Sequence, residues 1–203
     1  MDLAKQFRKL SFLIGIITII SITISNAQIV VIPMAGLNLS KIKYDMPEGS
    51  TTVLSGYQVG ANMRIGSSGF LQLGAFYHKY GNRFEGLDTT TQDLFSTDIK
   101  ITSVLIPIQF GFSVYNADIL KIRLMAGVNV GIPLDIDSND LELIKDDLRA
   151  SNVEIAVGFG FDVFRFVIDA NFGFAMNDLF EDPARNSSKN LYTLNVGYLI
   201  GKM

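Results

Sequence analysis

Between Val153 and Met176 the chain alternates with period two, and no other feature limits its fold as much. Val153, Ile155, Val157, Phe159 and Phe161 are interleaved with Glu154, Ala156, Gly158, Gly160 and Asp162. A tight turn is expected at Asp162-Val163-Phe164. Beyond it Phe166, Ile168, Ala170, Phe172, Phe174 and Met176 alternate with Arg165, Val167, Asp169, Asn171, Gly173 and Ala175. Successive side chains of a strand point to opposite faces, so this stretch reads as a hairpin with one apolar face. Its other face, carrying Gly, Asn and charge, is too polar for the core of a soluble sandwich. Apolar outside and polar inside is the pattern of a transmembrane β-barrel.

The N-terminus points to export. Lys5, Arg8 and Lys9 form a basic start, Leu10 to Ile24 is an apolar run, and Ser25-Asn26-Ala27 offers a small-x-small cleavage site before Gln28. This is the arrangement of a cleavable signal peptide over residues 1–27, leaving 28–203 as one domain. A retained signal anchor is the alternative, but the run is shorter than the ~20 residues of a spanning helix. No Cys follows it, which excludes lipoprotein processing, disulfides and thiolate metal sites. Cleavage leaves 14 basic and 19 acidic side chains, a net charge of −5, which argues against nucleic acid as a partner. The composition is 48% hydrophobic, yet no long apolar run follows residue 27. A closed barrel is the other structure that a bilayer allows.

The same ruler gives eight strands. The first four are Ile29–Ser40, Val53–Ile65, Phe70–Tyr80 and Ile99–Tyr115; Ile119–Ile132, the hairpin and Asn190–Lys202 complete the set. Parity turns Leu37, Val59, Tyr77, Phe110, Leu124 and Leu194 outward, and Asn38, Gln58, Arg64, Gln72, Gln109, Asn129 and Asn195 inward. The connections at Gly66–Gly69, Asn116–Asp118 and Asp162–Phe164 are short. Those at Asp45–Thr52, Gly81–Asp98, Leu134–Ala150 and Asn177–Lys189 are long and polar. Short periplasmic turns and long extracellular loops are the habit of outer-membrane barrels. The fold expected is therefore all-β, an eight-stranded antiparallel up-and-down transmembrane β-barrel in the bacterial outer membrane. Pro107, inside a strand, calls for a bulge. The many inward glycines suit a lumen only wide enough for side chains.

Several segments resemble the PorT-like outer-membrane β-barrel proteins (the "porin family") of Gram-negative bacteria. They are Met34-Ala35-Gly36-Leu37-Asn38-Leu39-Ser40, Phe70 through Gly81, Leu105-Ile106-Pro107-Ile108, Leu124-Met125-Ala126-Gly127-Val128 and the hairpin. The resemblance runs through nearly the whole of 28–203, carried by order and spacing. It implies an eight-stranded barrel and no particular activity, although one family member is linked to protein secretion. Outer-membrane lipid, the periplasmic and outer-membrane assembly machinery and an envelope protein reached through the loops are the partners implied. Barrels of this kind usually end in an aromatic residue that the assembly machinery reads. This chain ends Gly201-Lys202-Met203, so either Tyr198 serves or recognition is weaker.

Candidate chemistry is sparse. Arg64, Lys121, Arg123 and Arg165 face inward against Glu154, Asp162 and Asp169, and such groups must pair when they lose hydration. Lys121, Arg123, Asp162 and Arg165 are expected to meet near the periplasmic end, with Asp169 mid-barrel and Glu154 nearer the outer rim. An ion or proton pathway is the alternative. His78, the only histidine, is expected inward near the extracellular rim, satisfied there rather than acting as a base beside a Ser. The run Asp135-Ile136-Asp137-Ser138-Asn139-Asp140 begins like a calcium loop, but Asp140 stands where Gly belongs and Asp146 where Glu belongs. An acidic loop with a short helix over Asn139–Leu148 is the plainer expectation. No catalytic, cofactor-binding or metal residue is assigned, no cofactor is expected, and the chain is not expected to be an enzyme. The role expected is structural or interactive, with four displayed loops; a narrow or gated pore is the alternative.

Overall fold

The computed structural model describes residues 28–44, 49–87, 94–137, 149–176 and 187–201. Eight strands follow one another: β1 (Ile29–Tyr44), β2 (Gly49–Gly66), β3 (Gly69–Leu87), β4 (Leu94–Asn116), β5 (Leu120–Ile136), β6 (Asn152–Val163), β7 (Phe166–Ala175) and β8 (Ser187–Tyr198). Each pairs antiparallel with its neighbours and β8 closes on β1, so the sheet has no edge within the membrane. Among the described residues no helix is long and apolar enough to cross a membrane.

Register fixes the geometry of the wall. From Ile29 the ladder partners run through Ile65, Leu71, Phe110, Ala126, Val157, Phe172 and Tyr192, and return to β1 at Leu39. The circuit closes ten residues above its start on β1. An eight-stranded barrel with that stagger tilts its strands by about 40°. All eight residues of the circuit face outward.

The outward face is apolar from turn to rim. Phe112, Phe166 and Tyr198 are exposed low on the wall, and Tyr57, Tyr77, Phe174 and Tyr192 high on it. Phe166 and Phe174 stand eight residues apart on β7, which at ~3.3 Å per residue and ~40° of tilt is roughly 20 Å of height. Between these aromatic girdles no described outward side chain is charged. The inward faces predicted by alternation are the buried ones, from Asn38 and Gln58 to Asp169 and Asn195.

Four local expectations change. No bulge stands at Pro107; the registers shift at Thr102/Ser103 and Ser113/Tyr115. Pro107 lacks an N–H, and the β3–β4 ladder lapses between Leu73↔Ile108 and Phe76↔Leu105 without losing step. The hairpin turn is Phe164-Arg165, because Val163 still pairs with Phe166. The segment Gly81–Asp98 is largely strand, paired from Gly81↔Lys100 up to Leu87↔Leu94. Finally, β8 is Ser187–Tyr198, beginning before and ending short of the segment expected, with Ile200 joined to Val31 by an isolated bridge.

Candidate functional site: the barrel lumen

Inward side chains fill the lumen in layers, and the lowest carries most of its charge. Arg64 of β2, Gln72 of β3, Arg123 of β5, Asp162 of β6 and Asp169 of β7 form a closed ring. Arg123 Nη2 lies 2.6 Å from Asp162 Oδ1 and 2.7 Å from Asp169 Oδ1. Arg64 Nη1 donates to Asp162 Oδ2 at 2.9 Å and its Nε to Gln72 Oε1 at 3.1 Å. Gln72 Nε2 closes the circle on Asp169 Oδ2 at 3.4 Å. Both guanidiniums sit over the Phe70 ring, at 5.0 and 5.9 Å from its centroid. Two cations meet two anions out of bulk water, an arrangement that tolerates burial only because every charge is opposed and bonded.

Small residues make the room. A Cβ at Gly160 would stand 2.4 Å from Asp169 Oδ1 and 2.5 Å from Arg123 Nη2. One at Gly111 would strike the Phe70 ring. Beside the ionic ring, with Val30 next to Arg64 and Val167 next to Asp162 in register, Val30, Ile32, Met34, Phe76, Leu105, Val167, Leu191 and Leu199 form one buried apolar cluster.

The structure thus revises the expected network. Arg64, Arg123 and Asp162 join it, and Asp169 comes down into it. Arg165 does not: as the second turn residue it has left the ladder, is exposed, and donates to the Leu199 carbonyl at 3.4 Å. Lys121 pairs with Asp162 in register but stays half-buried in the periplasmic mouth, while Asp162 takes the two arginines. That mouth is a cavity of about 360 Å³ lined by Ser67, Asp118, Lys121, Asp162 and Phe164 among others. Gln72 and Phe70 were missed as members of the ring. Parity alone places both inward, but which inward residues meet across the lumen is set by the stagger.

Above the ring lies a layer of amides. Gln58 Nε2 donates to Asn195 Oδ1 at 2.6 Å, Asn195 Nδ2 to Thr193 Oγ1 at 3.4 Å, and Gln109 Nε2 to Asn171 Oδ1 at 3.0 Å. These residues, with Asn62, Phe76, Leu105, Pro107 and Asn129, enclose a cavity of only about 20 Å³. Glu154, expected nearer the rim, is buried and accepts from Asn129 Nδ2 at 3.4 Å.

His78 faces inward as expected and is fully buried. Its Nδ1 lies 3.2 Å from Ser103 Oγ, a neighbour that the sequence had not placed there, and its ring stacks on Tyr80 at 4.9 Å. Ser103 in turn donates to the His78 carbonyl at 3.4 Å, and both side chains are shut off from solvent. Among the described residues no cluster of His, Cys, Asp or Glu can hold a metal ion. Of the calcium-like run, Asp135 and Ile136 end β5 and Asp137 pairs with Lys79; Ser138, Asn139, Asp140 and Asp146, and the helix expected over Asn139–Leu148, lie outside the described residues.

Outside the membrane band two ion pairs brace the extracellular side. Arg83 Nε lies 2.7 Å from Asp98 Oδ1, and this hydrogen bond holds the carboxyl below its usual range. Lys79 Nζ lies 2.9 Å from Asp137, which raises the ammonium's pKa above the ordinary lysine value.

A closed eight-stranded sheet, lipid-facing outside and salt-bridged within, defines a bacterial outer-membrane β-barrel. Residues 26–181 match the family described as outer membrane protein beta-barrel domain, and the chain belongs to it. The fold is also that of OprG from Pseudomonas aeruginosa, at 13% identity and a TM-score of 0.52, covering 86% of this chain and 97% of that one. Neisserial surface protein A is similar at 13% identity and a TM-score of 0.51, covering 86% and 99%. No curated protein matches the sequence.

Proposed function

We propose that this protein is a sealed, non-enzymatic outer-membrane barrel that serves as a structural or interaction element, presenting its extracellular side to a partner of the envelope. The observation that carries the reading is the filled lumen. Five strands are cross-tied by the Arg64–Asp162–Arg123–Asp169–Gln72 ring, and the amide layer above it encloses about 20 Å³. That is space for about one water, far short of a hydrated ion. Above the upper girdle the β2–β3–β4 ladder continues to Gly49↔Gly86 and Leu87↔Leu94, whereas β6 and β7 stop at Glu154↔Ala175. With β1 and β8 also paired up to Tyr44↔Ser187, the described wall rises furthest at β2–β4, a raised rim for a protein contact.

The resemblance to PorT-like proteins supports a link to a secretion or envelope complex, and the signal-peptide pattern over residues 1–27 supports export and handling by the assembly machinery. Planar-bilayer recording tests the sealed state. The wild-type barrel is expected to be silent, while Arg123→Ala combined with Asp162→Ala, which removes the centre of the ring, is expected to leak. Steady wild-type conductance would restore the alternative of a narrow pore.

A further inference from the structure

The mid-lumen amide layer contains more acceptors than its own donors satisfy. Asn62 and Gln58 are both more than nine-tenths buried on β2. Each donates an amide N–H inside the protein, Asn62 to Met34 Sδ at 3.2 Å and Gln58 to Asn195 Oδ1 at 2.6 Å. Their carbonyl oxygens, Asn62 Oδ1 and Gln58 Oε1, have no partner within the protein. Both residues line the cavity of about 20 Å³, and no other lining residue has a buried polar atom left over. Gly60 stands between them on the same inward face, and the Phe76 ring, which lines the cavity, packs over it where a Cβ would stand.

We propose that this cavity is a binding site for a single internal water molecule, held by the side-chain carbonyls of Gln58 and Asn62. Three considerations select the ligand. The volume suits one water, which needs about 10–15 Å³. The lining atoms wholly without a partner are both acceptors, so the occupant has to donate, and a water brings two O–H groups while its oxygen can also accept an amide N–H. An acceptor stranded in a low-dielectric interior is costly, which gives the site a reason to stay occupied. A bare monovalent cation would also suit carbonyl oxygens. Here, however, the lining is made of neutral amides, a hydroxyl and apolar groups, with no carboxylate to repay its desolvation.

The wall is thin at this point. Asn62 also lines a shallow dent of about 200 Å³ on the membrane face, beside Ala61, Gly74 and Ala75. A Cβ at Gly74 would stand 2.1 Å from Asn62 Oδ1 and 2.9 Å from Pro107 Cγ. Gly74→Ala is therefore expected to push the carbonyl out of place and disturb the water without touching the ionic ring.

The test is water-selective NMR magnetisation transfer on the full-length barrel in nanodiscs. Transfer with the sign of a long-lived bound water is expected at the Gln58 and Asn62 side-chain amides, unchanged when sodium or potassium is replaced by choline. Asn62→Leu and Gly74→Ala should each reduce the transfer at Gln58 by at least half, with folding checked by the shifted migration of the unboiled barrel. No transfer in the wild type would overturn the site. Amide shifts that depend on sodium or potassium would overturn water in favour of a cation. Conductance plays no part in these readouts, so the sealed-barrel reading stands or falls separately.

Discussion

Ala170→Arg tests the assignment of solvent to the two faces of the wall. Ala170 points outward on β7, four residues above Phe166 and four below Phe174, so each aromatic girdle is roughly 10 Å away along the membrane normal. Its ladder neighbours are Phe159 and Leu194, both exposed and apolar. A guanidinium there has no partner and cannot reach either interface without thinning the bilayer. Arg at the midplane of a barrel wall costs about 2–4 kcal/mol, or roughly a 30- to 900-fold loss in the folding equilibrium. Ala170→Leu supplies the control, adding bulk without charge. The assay is equilibrium unfolding by guanidinium in lipid vesicles, followed by circular dichroism because the chain has no Trp. If Ala170→Arg unfolds within about 0.5 kcal/mol of Ala170→Leu, this face does not meet hydrocarbon and the reasoning fails; that margin lies well below the expected cost.

Within the lumen, Arg123→Leu leaves Asp162 and Asp169 with only Arg64 to oppose them and should cost about 3–5 kcal/mol, because a buried pair is being broken. Adding Asp169→Leu should recover part of that loss, and the shift in the denaturation midpoint decides. Phe164 has φ 53° at the first central position of a two-residue hairpin turn, where Gly is favoured. Phe164→Gly is therefore expected to stabilise the barrel by about 1 kcal/mol, and a lower midpoint would mean that the exposed ring contributes more than the strain costs. The Arg83–Asp98 pair sets a pH dependence outside the membrane. Because the folded carboxyl lies below its unfolded value, its contribution is present above the ordinary aspartate range and is lost as pH falls through the folded value. Protection against hydrogen exchange in the extramembrane β3–β4 segment, corrected for the intrinsic pH dependence of amide exchange, should fall in acid, and Asp98→Asn should abolish that fall. The effect is small, since both side chains are partly exposed and screened.

Strand number, facing and compartment were legible in the sequence because each is written locally. Period-two alternation is a property of one strand and its two solvents, so Val153–Phe161 and Phe166–Met176 declare their lipid face without any partner. The signal weakens where both faces are wet. The expected loop Gly81–Asp98 is mostly paired strand, because above the membrane a ladder needs only backbone hydrogen bonds and leaves no apolar mark. Parity also fails at a turn, which is why Arg165 was expected inside and lies outside.

The amino-acid sequence by itself determined an eight-stranded wall and, Arg165 at the turn aside, which side chains would enter it. Only the tertiary structure decided how those side chains meet. The ten-residue stagger of closure carries Arg64 and Gln72 across the lumen to Asp162 and Asp169, residues 98 and 97 positions away along the chain. The same stagger collects the amides of five strands around one small cavity. Stagger is a property of the whole ring of strands, fixed when the last strand pairs with the first, and no local pattern encodes it.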